Sequence, residues 1–464
     1  MKKKDLRSKE WFDNPKDPGL TALYLERYLN YGLKREDLQS GKPIIGIAQS
    51  GSDLSPCNRH FQALSKTIKD GIRIAGGVPM EFPTHPIQET GKRPTAALDR
   101  NLSYLSLVEV LYGYPIDGVI LTTGCDKTTP AALMAAATVN IPSIVLSGGP
   151  MLDGSYKGKK AGSGTIIWEA RKLHAKGEID YDEFMDMAAA SAPSVGHCNT
   201  MGTASSMNSI AEALGMSLTG GAIIPAPYKE RENISFETGK RIVDMVHEDL
   251  TPSKIMTKEA FENAIYVASA IGASSNCPPH LTAIARHMGI DFGIDNWEKL
   301  GHDIPLLVNC QPAGEHLMEG FFKAGGVPAI MQELLKNNKL NKKVMTVTGK
   351  TVEENLKTKI DVDQKVIRSF KNPLINNAGF IVMKSNFFSS AVMKTSVISS
   401  EFRKRYLSNQ KTPNVFEANA VVFEGPEDYH LRINDENLKV DENSILMIRG
   451  CGPVGYPGSG EVVN

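Results

Sequence analysis

The chain has 464 residues, 41% of them hydrophobic, which is enough for roughly two or three domains. Its 52 lysines and arginines balance 52 aspartates and glutamates, so no net field draws it to nucleic acid or to an anionic membrane, and chemistry on a small molecule is the expectation. No apolar run approaches the ~20 residues that span a bilayer, and Met1-Lys2-Lys3-Lys4 leads into polar sequence instead of an apolar signal core, so a cytoplasmic protein is expected.

In chain order, Leu20, Leu23 and Tyr24 predict a helix over 20–30, and the apolar run 43–48 predicts a buried strand followed by a polar loop at 49–59. Leu64, Ile68, Ile72 and Ala75 lie on one helical face that stops at Gly76-Gly77, before a strand at 78–82. The alternation repeats with a helix over 95–112, a strand over 118–122, a helix over 129–138 and a strand over 143–146. Such alternation predicts an α/β/α domain built on a parallel sheet. Further helices are expected at 181–192, 203–216 and 260–272, with a short strand at 346–348 and polar sequence over 352–372. From Ala378 the elements become short and β-rich, with strands at 380–383, 420–423 and 445–448. The expected division is therefore 1–375 and 376–464, the second part being a barrel-like β domain that the end of the sequence at Asn464 leaves incomplete.

Six cysteines are too few for a disulfide framework in a chain of this length. Three of them sit in loops rich in Gly, Pro and hydrogen-bonding residues: Ser55-Pro56-Cys57-Asn58, Gly124-Cys125-Asp126-Lys127 and Gly196-His197-Cys198-Asn199. Cys57 and Cys125 follow predicted strands, which places them near the carboxyl ends where open α/β sheets bind ligands. The cysteines are 68 and 73 positions apart (57 to 125, 125 to 198), unlike the close pairs of zinc ribbons, and such spacing by itself also suits unrelated thiols. Three soft thiolates without a fourth would leave an iron or zinc position open to substrate. Asp126 adjoins Cys125, and Glu89 follows the strand at 78–82, so hard oxygen ligands for magnesium are at hand, although a single loop carboxylate is more often a solvated or capping group. Cys277, Cys310 and Cys451 are read as free thiols, His197 as shaping the cysteine loop and His280 as a packed loop residue. Gly148-Gly149 and the glycines of 450–460 lack the spacing of a phosphate-binding loop.

The strings SPCNRH, HPIQETGKRPTAALDRN, TTGCDKTTPA, VLSGGPML, SVGHCNTMGTA, NCPPHL, VTGKT, MKTSVIS, VFEGPEDYH and GPVGYPGSGEVVN resemble the IlvD/Edd family of dihydroxy-acid, phosphogluconate and aldonate dehydratases. The opening of the chain and the GPEDYH segment resemble the branch acting on arabinonate, xylonate and similar sugar acids. The resemblance implies that Cys57, Cys125 and Cys198 ligate a [2Fe–2S] cluster, alternatively a [4Fe–4S] cluster. It further implies that Glu89, Asp126 and Glu461 bind magnesium, and that Lys127 joins them if carbamylated. The family's catalytic base is a serine downstream of the match to Glu461, which the resemblance puts beyond Asn464. No catalytic residue is therefore assigned within these 464 residues, and slow turnover by them alone is expected.

The implied reaction is dehydration of a sugar acid to its 2-keto-3-deoxy acid, with the cluster as Lewis acid, by a homodimer or homotetramer. Two alternatives accompany it. One is the dihydroxy-acid dehydratase of branched-chain amino-acid synthesis. The other is a non-catalytic metal-binding fragment or a redox or sensor protein, whose cluster would be fully ligated.

Overall fold

The computed structural model describes residues 5–30, 32–88, 97–386, 389–412 and 415–450. Four strands, β1 (Ile44–Gln49), β2 (Val78–Pro83), β3 (Gly118–Thr123) and β4 (Ser143–Ser147), form a parallel sheet in the order β2-β1-β3-β4. β1, β3 and β4 are buried at every position, because helices cover both faces and leave no side to water. Of the two edge strands, β2 has a mixed pattern, whereas β4 is covered at Val145 by a bridge to Ser217.

The order of the strands sets the site. β1 is followed by a neighbour on one side and β3 by a neighbour on the other, so right-handed crossovers send the helices after β1 and β3 to opposite faces. That divergence opens a crevice beyond the carboxyl ends of β1 and β3. Helix Phe61–Ile74, after β1, packs against helix Lys229–Glu248, and helix Thr128–Val139, after β3, packs against helix Ala97–Gly113. The first pair crosses with its backbones nearly touching. A Cβ on Gly71 would lie 2.2 Å from the carbonyl oxygen of Phe236, and one on Gly239 would lie 2.4 Å from that of Ile68.

Helices Tyr181–Ala190, Thr203–Ala213 and Lys258–Ile271 lie where sequence periodicity places them, each ending short of the expected limit. The expected helix over 95–112 begins among residues outside the described set and runs to Gly113. One expectation is corrected. Residues 346–348 form a turn closed by a bridge between Met345 and Thr351, since Thr346 Oγ1 bonds Thr348 and the Lys350 carbonyl in place of a neighbouring strand. The polar stretch from 352 opens with a helical turn, Val352–Asn355, held by a capping box between Thr351 and Glu354.

The smaller C-terminal part is β-containing. Phe380–Met383 pairs antiparallel with Ala391–Lys394, and Asn419–Phe423 pairs parallel with Ser444–Ile448. Among the described residues these are separate two-stranded sheets and no barrel closes.

Candidate active site

The exits of β1 and β3 are stitched together. Thr122 Oγ1 donates to the Ala48 carbonyl at 2.7 Å and accepts from the Ser50 backbone N–H at 2.9 Å. Beyond this stitch the β1 loop turns into a single 3-10 turn, Pro56–Asn58, which carries Cys57. The side-chain oxygen of Asn58 accepts the backbone N–H of Cys125 at 3.0 Å, so the first cysteine loop holds the second. Gly124 is required at this approach, because a Cβ there would lie 2.3 Å from that oxygen. Asn208, on helix Thr203–Ala213, holds the other side by donating to the Gly124 carbonyl at 3.1 Å and accepting from Thr123 Oγ1 at 3.0 Å. Thr128 Oγ1 donates to the Cys125 carbonyl at 2.8 Å and accepts the Gly124 N–H at 3.2 Å.

Cys198 comes from a distant loop that is brought over the same edge by backbone pairing. The His197 N–H donates to the Gly149 carbonyl at 3.0 Å, and the Met151 N–H donates to the His197 carbonyl at 2.9 Å. The turn after β4 is thereby joined to the third cysteine. Ser163 Oγ donates to Cys198 Sγ at 3.3 Å, and Gln88 Nε2 donates to Cys57 Sγ at 3.1 Å.

The electrostatics tie the groups together. A hydrogen bond from the Cys125 thiol lowers the pKa of Cys57, against the desolvation that opposes it, and the Gln88 amide adds to that lowering. Cys57 is thus drawn toward its thiolate, the form that ligates metal. Cys198 is pushed up to about 12, first by burial and then by the negative charges of Cys57 and Asp126. Asp126 acts on Cys57, Cys198 and Cys277 alike, so its carboxylate lies in the neighbourhood of all three. Lys127 is 2% exposed, and its charge acts on His280, whose Nδ1 accepts from Arg100 at 2.9 Å.

Thiols set close together beside the charge of Asp126 make a donor set whose repulsion a multivalent cation relieves, so its chemistry fits a metal group. Among the described residues, no three His, Cys, Asp or Glu side chains surround one point as a single ion requires. An iron–sulfur cluster spreads its ligands over several iron atoms and does not need that convergence.

The structure therefore brings together Cys57, Cys125, Cys198 and Asp126, with Lys127 adjoining. Glu89, Glu461 and Cys451 lie outside the described residues, as does the whole stretch from Cys451 to Asn464. The serine base that the resemblance implies downstream of Asn464 lies outside the described residues. Cys277 and Cys310 are free, buried thiols. His197 pairs through its backbone with Gly149 and Met151, and His280, expected in a loop, lies instead buried in helix Cys277–His287. The sequence reading passed over Asn58, Gln88, Asn208 and Ser163. Asn58 and Gln88 stand inside the quoted SPCNRH and HPIQET strings, but Asn208 and Ser163 carry no local signal.

A doubly wound sheet with thiols and a carboxylate at its switch point defines an enzyme of the α/β class. The family described as dihydroxy-acid/6-phosphogluconate dehydratase matches through its N-terminal part at residues 42–355 and its C-terminal part at residues 365–464. The chain belongs to this family of dehydratases, and it is a hydro-lyase. It is 60% identical over 458 residues to the D-xylonate dehydratase of Caulobacter vibrioides, covering 99% of this chain and 77% of that protein. It is 43% identical over 470 residues to the L-arabinonate dehydratase of Rhizobium leguminosarum, covering 100% and 79%, and 35% identical over 444 residues to the dihydroxy-acid dehydratase of Halothermothrix orenii, covering 94% and 78%. No helix among the described residues is long and apolar enough to cross a membrane.

Proposed function

We propose that the protein dehydrates a sugar acid of the xylonate or arabinonate class to its 2-keto-3-deoxy acid. In this reading Cys57, Cys125 and Cys198 hold an iron–sulfur cluster, and Asp126 with Glu89 and Glu461 holds magnesium. The single observation that carries it is the meeting of the Cys57 and Cys125 thiols in one hydrogen bond at the switch point of the sheet, with the charge of Asp126 on Cys57. The fall in identity from 60% with the xylonate relative to 35% with the dihydroxy-acid relative favours a sugar acid over a branched-chain intermediate.

When bound, such a cluster supplies a Lewis acid for the departing C3 hydroxyl, and magnesium offsets the charge that builds beside the substrate carboxylate as C2 loses its proton. The chain's own residues prepare the place. Gln88 and the Cys125 thiol hold Cys57 toward its thiolate, and Asn58 and Asn208 fix the Gly124-Cys125 loop from two sides. Lys127, buried beside Asp126, would pair with Asp126 or with the substrate carboxylate, or become a carboxylate-like ligand once carbamylated. Loss of water requires no net oxidation, which separates this reading from an electron carrier.

The test is anaerobic reconstitution with iron and sulfide. The account expects stoichiometric iron and acid-labile sulfide together with visible charge-transfer absorption; a protein that takes up neither contradicts it.

A further inference from the structure

Gly148 and Gly149 form the turn after β4, and the buried side chains of Arg231 and Glu212 brace the segment it packs against. Arg231, fully buried on helix Lys229–Glu248, donates from Nη1 to the carbonyl oxygens of Ser147 at 2.6 Å and Gly221 at 2.9 Å, and from Nη2 to that of Ile224. Ser147 is the last residue of β4, so the guanidinium ties the strand exit to the 221–224 segment. Glu212 holds the same segment from its other side by accepting the N–H groups of Gly220 at 2.7 Å and Ala222 at 2.9 Å. The turn fits against this clamp with no room to spare. Gly149 has a φ of 82°, and a Cβ there would lie 2.0 Å from the Ile224 carbonyl oxygen and 2.6 Å from Arg231 Nη2.

Two histidines carry the turn's position outward. His60, three residues beyond Cys57, donates from Nε2 to the Gly148 carbonyl at 2.8 Å, and its ring stacks on Phe61. On the other side, His197 pairs through its backbone with Gly149 and Met151 and donates from Nδ1 to the Cys198 carbonyl at 3.0 Å. One turn thus touches both the Cys57 loop and the Cys198 loop. A buried charge rarely adds net stability over an apolar side chain of similar volume, so the value of this one lies in the geometry it fixes.

We propose that Arg231 is a positioning residue for the cysteine site. By clamping Ser147, Gly221 and Ile224 it sets the Gly148–Met151 turn, and through His60 and His197 the turn keeps Cys57 and Cys198 in register with Cys125. The inference rests on the reading of these cysteines as cluster ligands, but its test does not.

The test is timed alkylation of metal-free protein with iodoacetamide, mapped by peptide mass spectrometry, on the wild type, Arg231→Lys and Arg231→Met. Cys277 and Cys310, both buried, report opening of the whole domain. The expected result for Arg231→Met is alkylation of Cys57 and Cys198 about tenfold faster, through local opening, with Cys277 and Cys310 unchanged and Arg231→Lys in between. Equal acceleration at all of these thiols, or none at Cys198, overturns the proposal. Should Arg231→Met fail to fold, Gly149→Ala pushes the turn off the same clamp from the turn's side and is read by the same outcomes. Failure of the wild type to take up iron would sink the cluster reading while leaving the alkylation result to stand on its own.

Discussion

Asn58 accepts the backbone N–H of Cys125 at 3.0 Å, so the residue next to one cysteine holds the loop of the next. The loops after β1 and β3 therefore behave as one unit, and disturbing either moves both.

Single Cys→Ser replacement separates the thiols by role. Cys57→Ser, Cys125→Ser and Cys198→Ser are each expected to lose most iron and sulfide after reconstitution, because a hydroxyl is a poor ligand for iron. Cys277→Ser and Cys310→Ser are expected to keep them. Full iron retention in any of the first three removes that residue from the ligand set.

On the oxygen side, Asp126→Asn, Glu89→Gln and Glu461→Gln are expected to weaken magnesium dependence without stripping iron, since hard carboxylates suit that ion. Titration of activity against magnesium, with iron measured in parallel, decides it. Loss of iron at unchanged magnesium affinity contradicts the assignment.

Gly124→Ala places a methyl 2.3 Å from the Asn58 side-chain oxygen. Forcing the two loops apart costs about 1–3 kcal/mol of stability and lowers iron uptake. Urea unfolding and iron analysis measure both, and a variant with wild-type values would show that the contact between the loops is dispensable.

Buried titratable groups pull the pH dependence of stability in opposite directions. His60 and His197 are lowered to about 4 and about 3, first by burial, with the Arg231 charge adding to it. Their contribution is complete above about 6.5 and is lost as pH falls through the folded values. Glu212 is raised by burial to about 7, so its contribution is complete below about 4.5 and is lost as pH rises toward 7. Between those limits the two imidazoles outweigh the one carboxyl, and stability rises with pH. Glu212→Gln removes the opposing contribution and steepens the rise by on the order of 2 kcal/mol. Urea unfolding at pH 4.5 and 6.5 tests this, and a shallower rise in the variant counts against it.

The sheet was legible because its strands are short apolar runs between amphipathic helices, and the runs at 43–48, 118–122 and 143–146 match β1, β3 and β4 to within a residue or two. Helix Lys229–Glu248 is hard to read because the first part of the face it buries carries Arg231, Ser235, Thr238 and Gly239, and apolar residues appear only from Ile242 to Val246. The cysteines were legible as loop residues after strands, but what positions them was not. Arg231, Asn208 and Ser163 act on loops 84, 84 and 35 residues away in sequence, and only the folded chain brings them there. The 346–348 run failed for a related reason, since its threonines satisfy one another inside a turn.

The most direct test is turnover. Cluster-loaded protein with magnesium is incubated anaerobically with D-xylonate, L-arabinonate, D-gluconate or D-galactonate, and in parallel with 2,3-dihydroxyisovalerate, and the 2-keto acids are quantified. The account predicts a 2-keto-3-deoxy acid from at least one sugar acid, in excess over the branched product, and its loss when iron is removed. Turnover of the branched acid alone, or sugar-acid dehydration that persists without iron, would contradict it.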